Sequence, residues 1–570
     1  MHTFYHDSPA FIDAIDSQAG NPMNIEPSHS IQYKIPTWPQ MLIDRYLELG
    51  YWNNDTFDKL INEIADKFKN NTALVFNQQR VTYKDLVTRA TQLAFCFCRL
   101  NLKKGDVVIL HLSNSATYVE TLFALFIAGI VPVFALPAHR ENEILSFVRA
   151  TQAKAYIGQM TLEGESLETL RQALVQDQPD IRLLTVKEGE SLFDTLSAAQ
   201  APAQPLPQNQ PDDLACFQLS GGTTGIPKLI PRCHRDYLCN IRAAVQACRF
   251  SADTVYLVVL PMGHNFPLAC PGFIGTLLAG GRVVITDKNY PDCCFSLIQQ
   301  ESVTVTALVP PLAMVWLDAA ELYQPILSSL KVLQVGGAKM SHAAALRVQP
   351  VLGCTLQQVF GMAEGLICFT QPDDKTNRAL TTQGQPMTAG DEIRVVDEQG
   401  QEVPRGEMGY LLTRGPYTIR GYYGPAGINT GAFDHEGFYR SGDLVRYTTD
   451  GDIISEGRDK DQINRGGEKI DCGELEDILL RHPGVQDAAV VGIQDDYLGE
   501  CTCAFILSPS DAPTPVALRQ FLINQGIASF KIPDRFSFPA SFDLTGVGKI
   551  SKKMLRARLK QDYLLNMENK

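Results

Sequence analysis

The chain has 570 residues, 45% of them hydrophobic and 20% charged, a composition ordinary for a globular protein and a length too great for one compact core. A net charge of −13 without a long Lys/Arg run argues against a general polyanion-binding surface and sets nucleic acid aside as a partner. Fourteen cysteines, mostly inside apolar runs such as LAFCFCRL and ECTCAFIL, read as buried thiols in a reducing compartment, not as a disulfide framework.

Residues 1–35 lack periodicity and read as a leader, either mobile or not native to the protein. They contain no basic segment followed by an apolar stretch, so no signal peptide is expected there. From Trp38 onward helical stretches alternate with short β-branched runs. DVVILHLS is expected as a strand, ATYVETLFALFIAG as a helix ending at Gly129, VPVFALP as a strand and ENEILSFVRATQA as a helix. The apolar run TLFALFIAGIVPVFALP is thus a core helix entering a strand, not a membrane span, and the expected location is cytoplasmic with no membrane partner. PAQPLPQNQPDD reads as a loop. DTVYLVVLP, GRVVITD, VTVTALVPP, KVLQVGG and TLQQVFG follow as short Val/Ile-rich strands bounded by Gly or Pro. Strands separated by helices imply an α/β fold with parallel sheets covered on both faces.

Between Gly384 and about Tyr447 the texture changes to Gly/Pro turns and period-two strands, which predicts an antiparallel or barrel-like region. A boundary is expected at Lys460. It divides a large domain, 36–459, from a small α+β domain, 460–570, that opens on the glycine loop NRGGEKID.

Two segments carry chemistry-bearing residues. SGGTTGIPKLI, Ser220 to Ile230, gathers glycines, hydroxyls and a lysine, a composition suited to donating hydrogen bonds to phosphate oxygens. It is not a Walker loop, because Pro227 precedes Lys228 and Leu229 follows it; alone it reads equally well as a surface turn. MGHNFPLACPG, Met262 to Gly272, brings His264, Asn265 and Cys270 within seven residues. They could be metal ligands, a thiol–imidazole pair or pocket lining.

QQVFGMAEG, YRSGDLVRY, EGRDKDQINRGGEKI and TGVGKISKK complete an ordered set with the threonine loop. Together they resemble the adenylate-forming superfamily of acyl-CoA synthetases, luciferases and nonribosomal adenylation domains, from about Trp38 to the C-terminus. That resemblance implies a large N-terminal domain and a small mobile C-terminal one. It also implies two half-reactions: carboxylate attack on the α-phosphate of ATP, then displacement of AMP by a thiol. Ser220, Thr223, Thr224 and Lys228 would hold the β,γ-phosphates, and Glu364 would hold Mg²⁺. Phe360 would face adenine, Gly336, Gly337 and Ala338 would let backbone approach the base, and Asp443 with Arg458 would bind the ribose. Lys549 would bridge the substrate carboxylate and α-phosphate, with His264 beside them. Lys460 would be the hinge whose rotation withdraws Lys549 and presents Gly466 and Gly467 to a pantetheine arm. Outside such a set, a lone Glu, Asp or Lys reads as solvated surface, and a Phe in an apolar run as core.

Asn265 stands where amino-acid-activating relatives place an aspartate. A neutral amide cannot compensate a buried ammonium, so an acid without an amino group is expected. LPMGHNFPLACPG and its companions resemble the aryl-acid adenylating enzymes of siderophore synthesis, above all the 2,3-dihydroxybenzoate-activating subgroup. The ring pocket would comprise Asn265, Phe266, Cys270, Val359 and Gly337. Cys270 is more typical of salicylate enzymes, whereas the small Val359 favours the dihydroxy ring. Salicylate is therefore the alternative acid, and a benzoate-type CoA ligase the alternative enzyme. Only 21 residues follow Lys549, so the acceptor thiol is expected in trans, on the phosphopantetheine of an aryl carrier protein.

Overall fold

The computed structural model describes residues 33–187, 190–196, 205–220, 227–372, 377–458, 462–508, 512–542, 552, 554–556 and 558–559. Thr223, Thr224, Lys460 and Lys549 lie outside these residues. So do the first 32 positions, although Tyr33, assigned to the leader, packs edge-on against Tyr423 at a centroid distance of 5.6 Å.

Two α/β sheets form the large domain. In the nine-stranded sheet, Thr72–Phe76, Arg282–Ile285, Val255–Val258, Val305–Leu308, Val332–Val335 and Thr355–Gly361 run parallel, with short antiparallel strands at both edges. The six-stranded sheet places Val107–His111 between Val131–Phe134 and Ala155–Gln159, with Leu214–Leu219 and Leu229–Cys233 as a hairpin at one edge. Central strands are apolar on both faces because helices cover both faces. The helix Ala116–Ala128 lies in the main core. Ser115 Oγ accepts from Tyr118 N at its start, every residue from Tyr118 to Ala128 is buried, and Gly129 ends it with φ +65°. No helix among the described residues is long and apolar enough to cross a membrane.

The barrel-like expectation is corrected. Glu392–Val396, Met408–Arg414, Tyr439–Tyr447 and Ile453–Arg458 form an open four-stranded antiparallel meander. Its first and last strands do not pair, and four strands are too few to close round a core. It buries one face instead, with Val395, Leu411, Tyr439, Val445 and Ile453 packed on Ile230, Met362 and Leu366.

The C-terminal unit has its own core. Helix Cys472–Leu479, capped by Asp471 Oδ1 accepting from Glu474 N, packs with helix Pro515–Asn524 against Val490, Ala504 and Ile506 of a small five-stranded sheet. The segment NRGGEKID is a hairpin rather than a free loop: Gln462–Arg465 pairs with Glu468–Asp471 around Gly466 and Gly467, at φ +61° and +94°. All fourteen cysteines are free and eleven are buried, as small apolar side chains of the core.

Candidate active site

Loops after the strands of the large sheet meet the Gly466–Gly467 turn of the C-terminal unit. There, two adjoining cavities share Ser220, Met362, Glu364 and Lys469. The first reaches past His264 to Asn265, Phe266, Cys270, Gly336 and Val359; the second is lined by Lys228, Tyr422, Tyr439, Ser441 and Gly442. Among the described residues, no group of three or more His, Cys, Asp or Glu side chains is placed to hold a metal ion.

The ends of the threonine loop are locked to each other. Ser220 N donates to Lys228 O at 3.0 Å and Lys228 N donates to Ser220 Oγ at 3.2 Å, where the hairpin strands meet. Lys228 Nζ sits 4.7 Å from the centroid of the Tyr422 ring. The Tyr422 hydroxyl donates to Glu364 Oε1 at 2.8 Å and lies 2.7 Å from the Tyr439 hydroxyl. Burial and the neighbouring Glu364 push the Tyr422 phenol well above its usual range, so it remains a donor. Arg232, fully buried, donates to Ala363 O at 3.0 Å and fixes the backbone next to Glu364.

His264 begins the short helix Asn265–Ala269. Asn114, after strand Val107–His111, holds the approach to it by donating to Leu260 O and accepting from Met262 N. His264 Nδ1 accepts from Phe266 N at 3.3 Å. Desolvation, with Lys469 adding to it, pulls the imidazole down to about 4, so it is neutral at physiological pH. With Nδ1 accepting, the proton sits on Nε2 and the ring is a hydrogen-bond donor, not a cation.

Asn265, Phe266, Cys270 and Val359 are all buried and converge on one end of the first cavity. A side chain at Gly336 would reach within 3.0 Å of the Phe266 ring, so glycine there makes room for the aromatic wall. Burial pushes the Cys270 thiol up to about 12, and its Sγ lies 3.4 Å from both Asn265 Nδ2 and Asn265 O. It is a neutral wall, not a thiolate.

The C-terminal unit closes over this end. A Cβ on Gly467 would meet Val309 Cγ1 at 2.8 Å and one on Gly337 would meet Gly467 Cα at 3.1 Å, while Asn464 Nδ2 donates to Gly337 O at 2.7 Å. Gly337 is held at φ +85° and Ala338 follows it half-buried. Gly467 lines the first cavity, whereas Gly466 does not. Asp443 is buried, directly follows Ser441 and Gly442 of the second cavity's lining, and pairs in register with Arg458 across two strands of the meander. Phe360 packs half-buried on the Ile230 cluster and lines neither cavity.

Tyr422, Tyr237, Gln218 and Lys469 were not singled out by sequence. Lys469 stood inside a quoted motif, so its signal was present. Tyr422 and Tyr237 become neighbours of Glu364 and Asn265 only through the fold.

A family profile described as AMP-binding enzyme matches residues 61–423, and one described as AMP-binding enzyme C-terminal domain matches 474–549. The chain is 51% identical to pyochelin synthase PchD of Pseudomonas aeruginosa, over 92% of this chain and 96% of that one. It is 47% identical to the 2,3-dihydroxybenzoate-AMP ligase of Bacillus subtilis, over 92% and 98%. Among solved structures, apo MbtA of Mycobacterium smegmatis superposes with a TM-score of 0.70 at 39% identity, over 92% and 98%.

Proposed function

The chain belongs to the AMP-binding enzyme family, and from that premise we propose that it is an aryl-acid AMP ligase. It joins 2,3-dihydroxybenzoate to the α-phosphate of ATP with release of pyrophosphate. It then passes the aryl group to the phosphopantetheine thiol of a separate aryl carrier protein in siderophore synthesis. The observation that carries this reading is one end of the first cavity, where a neutral amide, Asn265, stands buried among Phe266, Cys270 and Val359. An amino acid would bring a buried ammonium there with no carboxylate beside it.

In the first half-reaction Ser220, Lys228 and the loop between them orient the departing phosphates, with Lys228 supplying positive charge. Glu364, a buried carboxylate shared by both cavities, would hold Mg²⁺, and the ion, when bound, would neutralise phosphate charge. His264, neutral and with its proton on Nε2, donates a hydrogen bond to carboxylate or phosphate oxygen as charge builds there. Lys549 bridges the two reacting groups, Asp443 and Arg458 bind the ribose, and Phe360 with Gly336 to Ala338 frames the base.

In the second half-reaction the small domain, turning at Lys460, seats Gly466 and Gly467 against Gly337 and leaves a narrow entry for the pantetheine arm. The docking of Gly467 on Gly337 and Val309 supports assigning the described arrangement to this step. Salicylate is the second reading of the acid, favoured by Cys270, whose thiol bonds a ring hydroxyl only weakly. Incubation with ATP, 2,3-dihydroxybenzoate and either a phosphopantetheinylated aryl carrier protein or CoA tests the acceptor. The carrier thioester is the expected product, and equally efficient formation of aryl-CoA would make the enzyme a CoA ligase instead.

A further inference from the structure

Behind the ring pocket lies a polar chain whose inner members, Gln218 and Tyr237, have no part in the adenylation chemistry. Gln218 Nε2 donates to the Tyr237 hydroxyl at 2.7 Å, and the Tyr237 hydroxyl donates to Asn265 Oδ1 at 2.8 Å. Asn265 Nδ2 then donates to Cys270 Sγ at 3.4 Å, while the Cys270 thiol donates to Asn265 O at 3.4 Å. Tyr237 is fully buried on helix His234–Ala247, its ring 4.8 Å from the Arg232 guanidinium, and it does not line the cavity; Gln218, Asn265 and Cys270 do.

Two separate constraints orient the Asn265 amide. Because Gln218 offers an N–H to the phenol oxygen, the phenol's single proton is left for Asn265, which must present its oxygen there. Because the Cys270 proton is spent on a backbone carbonyl, Sγ faces Asn265 as an acceptor and draws the nitrogen end. The oxygen is thus turned to the buried tyrosine, and the nitrogen lies beside the cavity-lining cysteine.

We propose that Tyr237, with Gln218 behind it, is a positioning residue that locks the Asn265 amide with its N–H side to the ring. The pocket then selects aryl acids whose ortho substituent accepts a hydrogen bond. This rests on the aryl-acid reading above and deepens it. A 2-hydroxybenzoate turns its one hydroxyl proton to its own carboxylate and shows lone pairs outward, which suits an N–H. A 2-aminobenzoate has a second N–H that still points outward after the first is so engaged, and it meets the locked amide donor to donor. Flipping the amide to accept that proton would set nitrogen against the tyrosine hydroxyl, leaving buried donors unpaired.

The test is ATP–pyrophosphate exchange with 2-hydroxybenzoate, 2-aminobenzoate and benzoate, in the full-length enzyme and in Tyr237→Phe. The ratio of kcat/KM for the 2-hydroxy over the 2-amino acid should be high in the parent enzyme. In the variant it should fall about tenfold, because the amide is free to turn. A general loosening of the pocket would lower all three acids together and leave that ratio unchanged, which would overturn the proposal. Gln218→Met, which keeps the tyrosine but leaves its oxygen open to accept from a turned amide, should shift the ratio the same way. If Tyr237→Phe does not fold, an unchanged ratio in Gln218→Met overturns the proposal by itself. Absence of exchange with every aryl acid in the parent enzyme would instead remove the aryl-acid reading, a distinct result.

Discussion

Lys531 Nζ of the C-terminal unit lies 3.2 Å from Glu143 Oε1 of the large domain, an ion pair in which both side chains are 5% exposed or less. Glu474 completes it at 2.9 Å. Burial alone would pull the Lys531 ammonium down, yet Glu143 and Glu474 outweigh it and hold its pKa raised. Glu143 also accepts from Ala528 N and, through its other oxygen, from Arg140 N at the start of its own helix.

Such a pair belongs to one arrangement of the two units, because breaking it by deleting a partner leaves a buried charge at a cost of about 3–5 kcal/mol. Lys531→Met, which spares the Glu143 helix start, is expected to slow transfer from preformed adenylate to the carrier by about a hundredfold or more, the order to which that cost converts, while pyrophosphate exchange stays near the parent rate. Single-turnover measurement of each step separates the two. Equal losses would mean that the pair serves general stability.

Lys549 should show the mirror image. Lys549→Ala is expected to reduce adenylation by about a thousandfold, the scale of losing one transition-state charge partner, yet to leave thioester formation from added aryl-AMP largely intact. Equal damage to both steps would contradict alternation between two domain arrangements.

Cys270 sets how firmly the second ring hydroxyl is held. Cys270→Ser replaces a weak hydrogen-bond acceptor by a good one for the ring hydroxyl and should raise the 2,3-dihydroxybenzoate over salicylate ratio of kcat/KM about five- to tenfold. An unchanged ratio would place the ring elsewhere in the cavity.

Acid should destabilise the fold through His111. Its Nδ1 lies 2.9 Å from the Tyr156 hydroxyl, Nε2 is buried without a partner, and desolvation pulls it to about 3 from an ordinary 6.5. A depressed folded pKa means that the unfolded chain binds the proton first. Its stabilising contribution is therefore present above 6.5 and is lost as pH falls towards 3. Relative to His111→Gln, the parent should lose about 2 kcal/mol between pH 7 and pH 5, at roughly 1.4 kcal/mol per unit below 6.5. Denaturant titrations at the two pH values check this, and parallel pH curves for both proteins would contradict it.

Much of the fold was legible because its parallel strands are short apolar runs punctuated by Gly and Pro. The helix ending at Gly129 follows from an N-capping serine and a left-handed glycine, both local signals. That the meander stays open was not legible, since alternation marks an antiparallel strand but not whether its outer edge finds a partner. One end of the first cavity was readable where one segment supplies Asn265, Phe266 and Cys270. What lies behind it was not: Tyr237 meets Asn265 across 28 residues, and Tyr422 meets Glu364 across 58, through packing that no spacing encodes. Neutrality of His264 likewise follows from its desolvation, with the charge of Lys469 from the other unit adding to it, and sequence alone places neither.

The most direct test of the account is ATP–pyrophosphate exchange with 2,3-dihydroxybenzoate, salicylate, benzoate and a panel of amino acids. Exchange should be driven best by 2,3-dihydroxybenzoate, with salicylate accepted and amino acids inert. Exchange driven best by an amino acid would contradict the reading of Asn265, and exchange with no acid would contradict the enzyme.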